Sequence, residues 1–140
     1  MEDSIKIGVI GFSDETKYKS SAGKKAVKDS FDNLQLLFPK KNIVIVSGLS
    51  NVGIPKLAYE EAVSRKWKTV GIAPKEVENY ELFAVDEKII VGDKFGDESK
   101  KFIDYIDILV KIGGGKQSEK ECDMATEGNI PIMKMDNYFE

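Results

Sequence analysis

Between Lys111 and Glu121 the chain reads "KIGGGKQSEKE", three consecutive glycines directly behind an apolar run and directly ahead of a polar, helix-compatible stretch. Glycine loses more backbone entropy on folding than any other residue. A triplet therefore marks either a very tight strand-to-helix turn or a place where something approaches the backbone closely. With Gln117, Ser118 and Glu119 in the first turn of a helix, free N–H groups and the positive helix end point at Gly113, Gly114 and Gly115, an arrangement that suits an anion. Lys116 adds a mobile point charge of the kind phosphate sites use. The spacing fits neither the P-loop, which wants Lys followed by Ser or Thr after a longer interval, nor the G-x-G-x-x-G fingerprint. Glu121 follows Ser118 by about one helical turn and so lies above the loop on the same face. There it would reach a ribose hydroxyl or act as general acid/base near an N-glycosidic bond. The plainer reading is a solvated surface acid. Cys122, next to it, reads as a small buried side chain facing a sheet.

Two more stretches have the composition of ligand loops. "GFSDE" carries Gly11, Phe12 and Ser13, and "SGLSNVG" carries Gly48, Leu49, Ser50, Asn51 and Gly53. Taken singly, the first is an ordinary strand exit, and in the second Ser47, Ser50 or Asn51 would merely cap the helix that begins near Ile54 or Pro55. Their joint position decides their meaning, and that position depends on the elements around them.

"IKIGVIGF" (residues 5–12) is a short apolar, β-branched run closed by glycine, the pattern of a strand buried on both faces. Ala26, Val27, Phe31 and Leu34 follow at helical spacing, and Pro39 stops the helix. "NIVIVSG", "KTVGIAP", "EKIIVG", "DILVKIGGG" and "IPIMKM" repeat the strand signal, and helical patterns occupy "IPKLAYEEAVSRK", "DESKKFIDY" and "SEKECDMATEG". Alternating strands and helices predict a single α/β domain over residues 1–140, Rossmann-like, with a mainly parallel sheet covered by helices on both faces. In such a sheet the loops after the strands share one edge, and ligands bind where the strand order reverses. The least patterned segment, 74–87, is either a structural linker or a ligand-facing loop.

The chain has 140 residues, 24 acids against 21 bases, a formal charge of −3, no histidine and one cysteine. That charge draws the protein toward neither nucleic acid nor anionic membranes. The composition excludes a disulfide framework, a Cys/His zinc site and a histidine general base. No resident cofactor or metal is expected. The amino terminus lacks the pattern of a signal peptide and no apolar run is long enough to span a bilayer, so a cytoplasmic setting is expected.

"SGLSNVGIPKLAYEEAVSRKWKTVGIAP" and "DILVKIGGGKQSEKE" resemble the SLOG superfamily, which includes the cytokinin-activating phosphoribohydrolases once called lysine decarboxylase-like proteins and the nucleotide-binding fold of the DNA-processing protein DprA. Against the family signature P-G-G-x-G-T-x-x-E, Gly114 and Gly115 take the paired-glycine places, Ser118 the threonine place and Glu121 the glutamate place. Gly113 stands where proline is usual and Gln117 where the last glycine is usual. The hydrolases also carry an Arg-Lys pair shortly before this strand, and the same register places Glu98 and Ser99 there.

The resemblance implies a nucleotide or nucleotide-derived ligand at the sheet edge, held by a sensor, carrier or sequestering module. The alternative is a 5′-phosphoribohydrolase, with Glu121 catalytic, that splits nucleoside monophosphates into base and ribose 5-phosphate. It further implies a homodimer or higher homo-oligomer. Single-stranded DNA binding would need a basic groove with stacking aromatics, which the composition does not signal.

Overall fold

The structure, a computed structural model, describes residues 3–139; Met1, Glu2 and Glu140 of the expected 1–140 domain lie outside the described residues. In chain order come β1 (Ser4–Gly11), α1 (Ser20–Leu37), β2 (Asn42–Ser47), α2 (Gly53–Ser64), β3 (Lys68–Ala73), β4 (Glu87–Ile90), α3 (Ser99–Tyr105), β5 (Ile108–Ile112), α4 (Lys116–Glu127) and β6 (Ile132–Lys134). Short 3-10 turns occupy Glu15–Lys17, Lys75–Asn79 and Asp136–Phe139. The strand and helix order is the one the periodicity predicts, and the ends move by a few residues. The last strand, expected from Ile130, pairs only from Ile132, because Pro131 has no N–H to give to a ladder and contributes only its carbonyl, to Leu109 (2.9 Å).

The six strands form one sheet in the order β4-β3-β2-β1-β5-β6, with every pair parallel. The central strands are mostly apolar, with Lys6 of β1 and Lys111 of β5 as charged exceptions, because each is covered on both sides. On one side Val27, Phe31 and Leu34 of α1 and Ala58, Tyr59 and Ala62 of α2 pack on Ile7, Val9 and Ile45. On the other, Phe102 and Ile103 of α3, and Cys122 and Ala125 of α4, pack on Ile10, Val46, Val70 and Leu109. Each fully buried Leu, Ile or Phe contributes about 1.5–3 kcal/mol.

The chain steps outward from β1 to β4, then returns to place β5 on the other flank of β1. The order therefore reverses between β1 and β5, where a doubly wound sheet opens a crevice beyond its strand ends. Register pairs Gly11 with Ile112, so the exit of β1 and the glycine triplet emerge side by side.

Candidate functional site

The three glycines play different parts. Gly113 has φ +70°, and a Cβ there would lie 2.1 Å from the Phe12 ring. Its N–H is engaged by the Asp136 carboxylate (2.9 Å), whose other oxygen binds the Lys111 ammonium (2.9 Å). Gly113 is thus the tight turn, and its N–H is not open to a ligand. Gly114 has φ +112°, and its missing Cβ makes room for Ser118 Oγ, which would stand 2.3 Å away. Gly115 is the N-cap of α4 and supplies no side-chain cap. The first helical bond runs from the Glu119 N–H to the Gly115 carbonyl (3.1 Å), which leaves the N–H groups of Lys116, Gln117 and Ser118 ahead of the ladder. They open into a cleft of about 800 Å³ lined by Gly114, Gly115, Lys116, Gln117 and Ser118, a volume in the range of small-molecule sites.

The start of α2 differs. Its Ile54 N–H donates to the Phe12 carbonyl (2.7 Å) and its Gly53 N–H reaches Glu15 (3.4 Å), so the β1 exit loop closes that helix end. None of Ser47, Ser50 and Asn51 caps it. Ser47 Oγ donates instead to the Val9 carbonyl (2.6 Å), and the Asn51 amide donates to Glu81 (2.6 Å). Gly11, Phe12, Ser13, Gly48, Leu49 and Ser50 line the same cleft as the glycine loop, whereas Asn51, Gly53 and Gly113 do not line it. Gly53 stays glycine for the chain path, since its φ is +67° and a Cβ would meet the Phe12 carbonyl at 2.4 Å.

Glu121 is 5% exposed, so it is not a solvated surface acid. Its Oε2 accepts from the Ser99 hydroxyl (2.8 Å) and from the Gln117 amide (3.4 Å). The same amide donates to Glu98 (3.1 Å), and the Gly96 N–H donates to the other Glu98 oxygen (2.8 Å). Glu98 and Ser99, the two residues in the register of the hydrolases' Arg-Lys pair, thus stand at the site and form one cluster with Glu121. Burial raises the Glu121 carboxyl above its ordinary range; the Ser99 and Gln117 bonds oppose that rise, and the Glu98 carboxylate adds to it. Arg65, the chain's single arginine, is held at the far ends of α1 and α2 by Asp32 and Glu61. Lys100 is paired with Asp104 (3.0 Å), Lys101 lies over the Tyr105 ring (5.9 Å), and neither lines the cleft.

Lys17, Tyr80 and Phe95 are among the lining residues that were not legible as site residues. The aromatics sit in the loops after β3 and β4, where no periodicity marks them. Segment 74–87 is held down by Val77, which is buried, by the Phe83 N–H bonded to the Leu49 carbonyl (2.9 Å), and by Asp86, whose carboxylate accepts the Thr69 N–H (2.8 Å). It is a strap over the β2 exit whose Val77 and Tyr80 face the cleft.

No curated protein matches the sequence significantly. Among solved structures, the fold is similar to the molybdenum cofactor binding protein of the phototrophic bacterium Rippkaea orientalis, with a TM-score of 0.75 and 23% identity over 94% of this chain and 76% of that one. It is also similar to the molybdenum cofactor carrier protein of Chlamydomonas reinhardtii, with a TM-score of 0.70 and 18% identity over 94% and 76% of the two chains. At these identities the likeness is one of fold. The sequence itself matches the SLOG cluster4 family over residues 4–140, and the chain belongs to that family.

Proposed function

We propose that the protein is a binding module that holds a nucleotide or nucleotide-derived ligand at the sheet edge, as carrier, sensor or sequestering protein. The observation that carries this reading is the uncapped start of α4, which opens with Lys116 into a cleft of ligand size. A phosphate seated there accepts the N–H groups of the first turn and gains from the helix dipole. Glu98 and Glu121 offer acceptor oxygens to hydroxyl or N–H donors on the rest of the ligand. The fold likeness to a molybdenum cofactor carrier protein and a molybdenum cofactor binding protein supports the carrier form. Among the described residues no group of three or more His, Cys, Asp or Glu is placed to hold a metal ion.

One observation favours the phosphoribohydrolase as second reading: a buried carboxyl with a raised pKa, Glu121, lies in the cleft, a feature enriched at catalytic sites. Against it, the position of the hydrolases' arginine holds a carboxylate. General acid/base assistance contributes about 10² to 10⁴-fold, and electrostatic stabilisation of the transition state is usually the larger part. The expected outcome is binding with very slow hydrolysis or none.

Calorimetry against mononucleotides, cyclic nucleotides and ADP-ribose derivatives, with mass spectrometry of small molecules released from the purified protein, tests the binding. If no member of the panel binds below millimolar concentration, the reading fails. Incubation with AMP, followed by chromatography for free adenine, tests the chemistry. Multiple turnover that Glu121→Gln abolishes would promote the hydrolase.

A further inference from the structure

Tyr80 and Phe95 are 58% and 43% exposed and are the only aromatics among the exposed large apolar side chains of the described residues. Both line the cleft of the α4 N-terminus. Their rings touch, with centroids 5.9 Å apart and planes inclined at 55°, although the residues belong to different loops. Exposed apolar rings at a loop tip carry little meaning when the loop is loose, but these loops are tied together. The Lys75 N–H donates to the Gly92 carbonyl and the Glu76 N–H to the Asp93 carbonyl, both at 3.0 Å. The Phe95 N–H donates to the Glu76 carboxylate (2.9 Å). Asp97 gathers the N–H groups of Asp93 and Lys94 at 2.9 and 3.0 Å. The Tyr80 N–H closes its own turn on the Val77 carbonyl (3.0 Å). Two segments are thus braced so that two rings remain uncovered in a concavity.

The pair also lies close to the anion end. Phe95 is three residues before Glu98, a reach of at most about 10 Å, and Glu98 bonds Gln117 in the first turn of α4. Resting on the phosphate-ligand reading, we infer that Tyr80 and Phe95 form the ring-binding wall of the cleft and select ligands in which a planar fused heterocycle, of purine size, is joined to a phosphate. One ring stacks on a face of the heterocycle and the other meets its edge, the offset geometries aromatic pairs prefer. The carboxylates of Glu98 and Glu121 line the same cleft and accept hydroxyl or ring N–H donors. The cleft then reads three chemistries: an anion, hydrogen-bond donors and a flat ring.

Isothermal titration of AMP, GMP and ribose 5-phosphate against wild type, Tyr80→Ala, Phe95→Ala and Tyr80→Phe separates the wall from the phosphate site. Wild type is expected to bind a purine nucleotide more tightly than ribose 5-phosphate. Each alanine variant loses roughly 5- to 100-fold of nucleotide affinity, the range for removing one stacking partner. Ribose 5-phosphate binding stays unchanged, and Tyr80→Phe retains nucleotide affinity. Because both side chains are exposed, the thermal midpoints of the variants should match wild type. The wall is overturned if wild type does not prefer a nucleotide, if alanine leaves nucleotide binding intact, or if both ligands weaken equally. In those cases ribose 5-phosphate still binds wild type and the phosphate site stands. Absence of binding by all three probes overturns the phosphate site and the wall together.

Discussion

An added Cβ at Gly115 would meet nothing within 4 Å, whereas at Gly113 and Gly114 it would collide with the Phe12 ring and with Ser118. Gly115 is also the N-cap of α4, a position where Asp is among the best residues because its carboxylate accepts the first-turn N–H groups. Gly115→Asp is therefore expected to hold or raise stability by a few tenths of a kcal/mol while it fills the anion site from within and abolishes phosphate-ligand binding. Urea melts and titration calorimetry on the same variant check both signs; unchanged binding would move the anion elsewhere. Glu121 gives a second residue-scale expectation. Its folded pKa is raised by burial, so its contribution to stability is fully present at acid pH. As pH rises from about 4 the unfolded chain ionises first and stability is lost, until pH passes the raised folded value. Glu121→Gln removes that titration, and the Glu98 and Lys120 charges that face it remain. Urea midpoints of wild type should fall relative to Glu121→Gln as pH rises; a flat difference would show that the carboxyl titrates alike in both states.

At the scale of elements, two helix starts with similar glycine-bearing loops have opposite fates. The N–H groups that begin α2 are consumed by Phe12 and Glu15, and those of α4 remain open. The β2 exit beside them is set by a side chain from α2. Buried Tyr59 accepts the Ser47 N–H at 3.1 Å, and its hydroxyl lies 2.8 Å from the Gly48 and Val70 carbonyls. Burial pushes the phenol far up, so it stays protonated. Tyr59→Phe leaves the Ser47 N–H without a partner in the core, which costs about 1–3 kcal/mol. Denaturation in urea should show a lower midpoint at unchanged slope. A change below about 0.5 kcal/mol would mean that another acceptor takes over the N–H.

For the whole molecule, the cleft occupies the strand-end edge, and the helices on both faces leave apolar surface elsewhere. Leu36, Leu37 and Val63 are exposed near the C-terminal ends of α1 and α2, which Arg65 ties together through Asp32 and Gln35. A two-fold homo-oligomer, the common closed assembly, is our proposal for what covers them. Light scattering should then give a multiple of 15.6 kDa, and Leu36→Glu with Leu37→Glu should reduce it. A 15.6 kDa species in wild type would dispose of the assembly. Among the described residues no helix is long and apolar enough to cross a membrane.

The order of strands and helices, the parallel sheet and the glycine loop ahead of α4 were legible in the amino-acid sequence, because apolar periodicity and glycine clustering are local signals. Family membership was legible for the same reason, since "DILVKIGGGKQSEKE" is contiguous. Tertiary structure alone decided that Gly113 spends its N–H on Asp136, that Glu121 is buried against Ser99 rather than solvated, and that Glu98 lies in the site while Lys100 does not. It alone joined Tyr80 to Phe95. Each of these depends on partners 15 or more residues apart brought together by crossovers of the sheet, and no local pattern records which hydrogen bonds those crossovers will make.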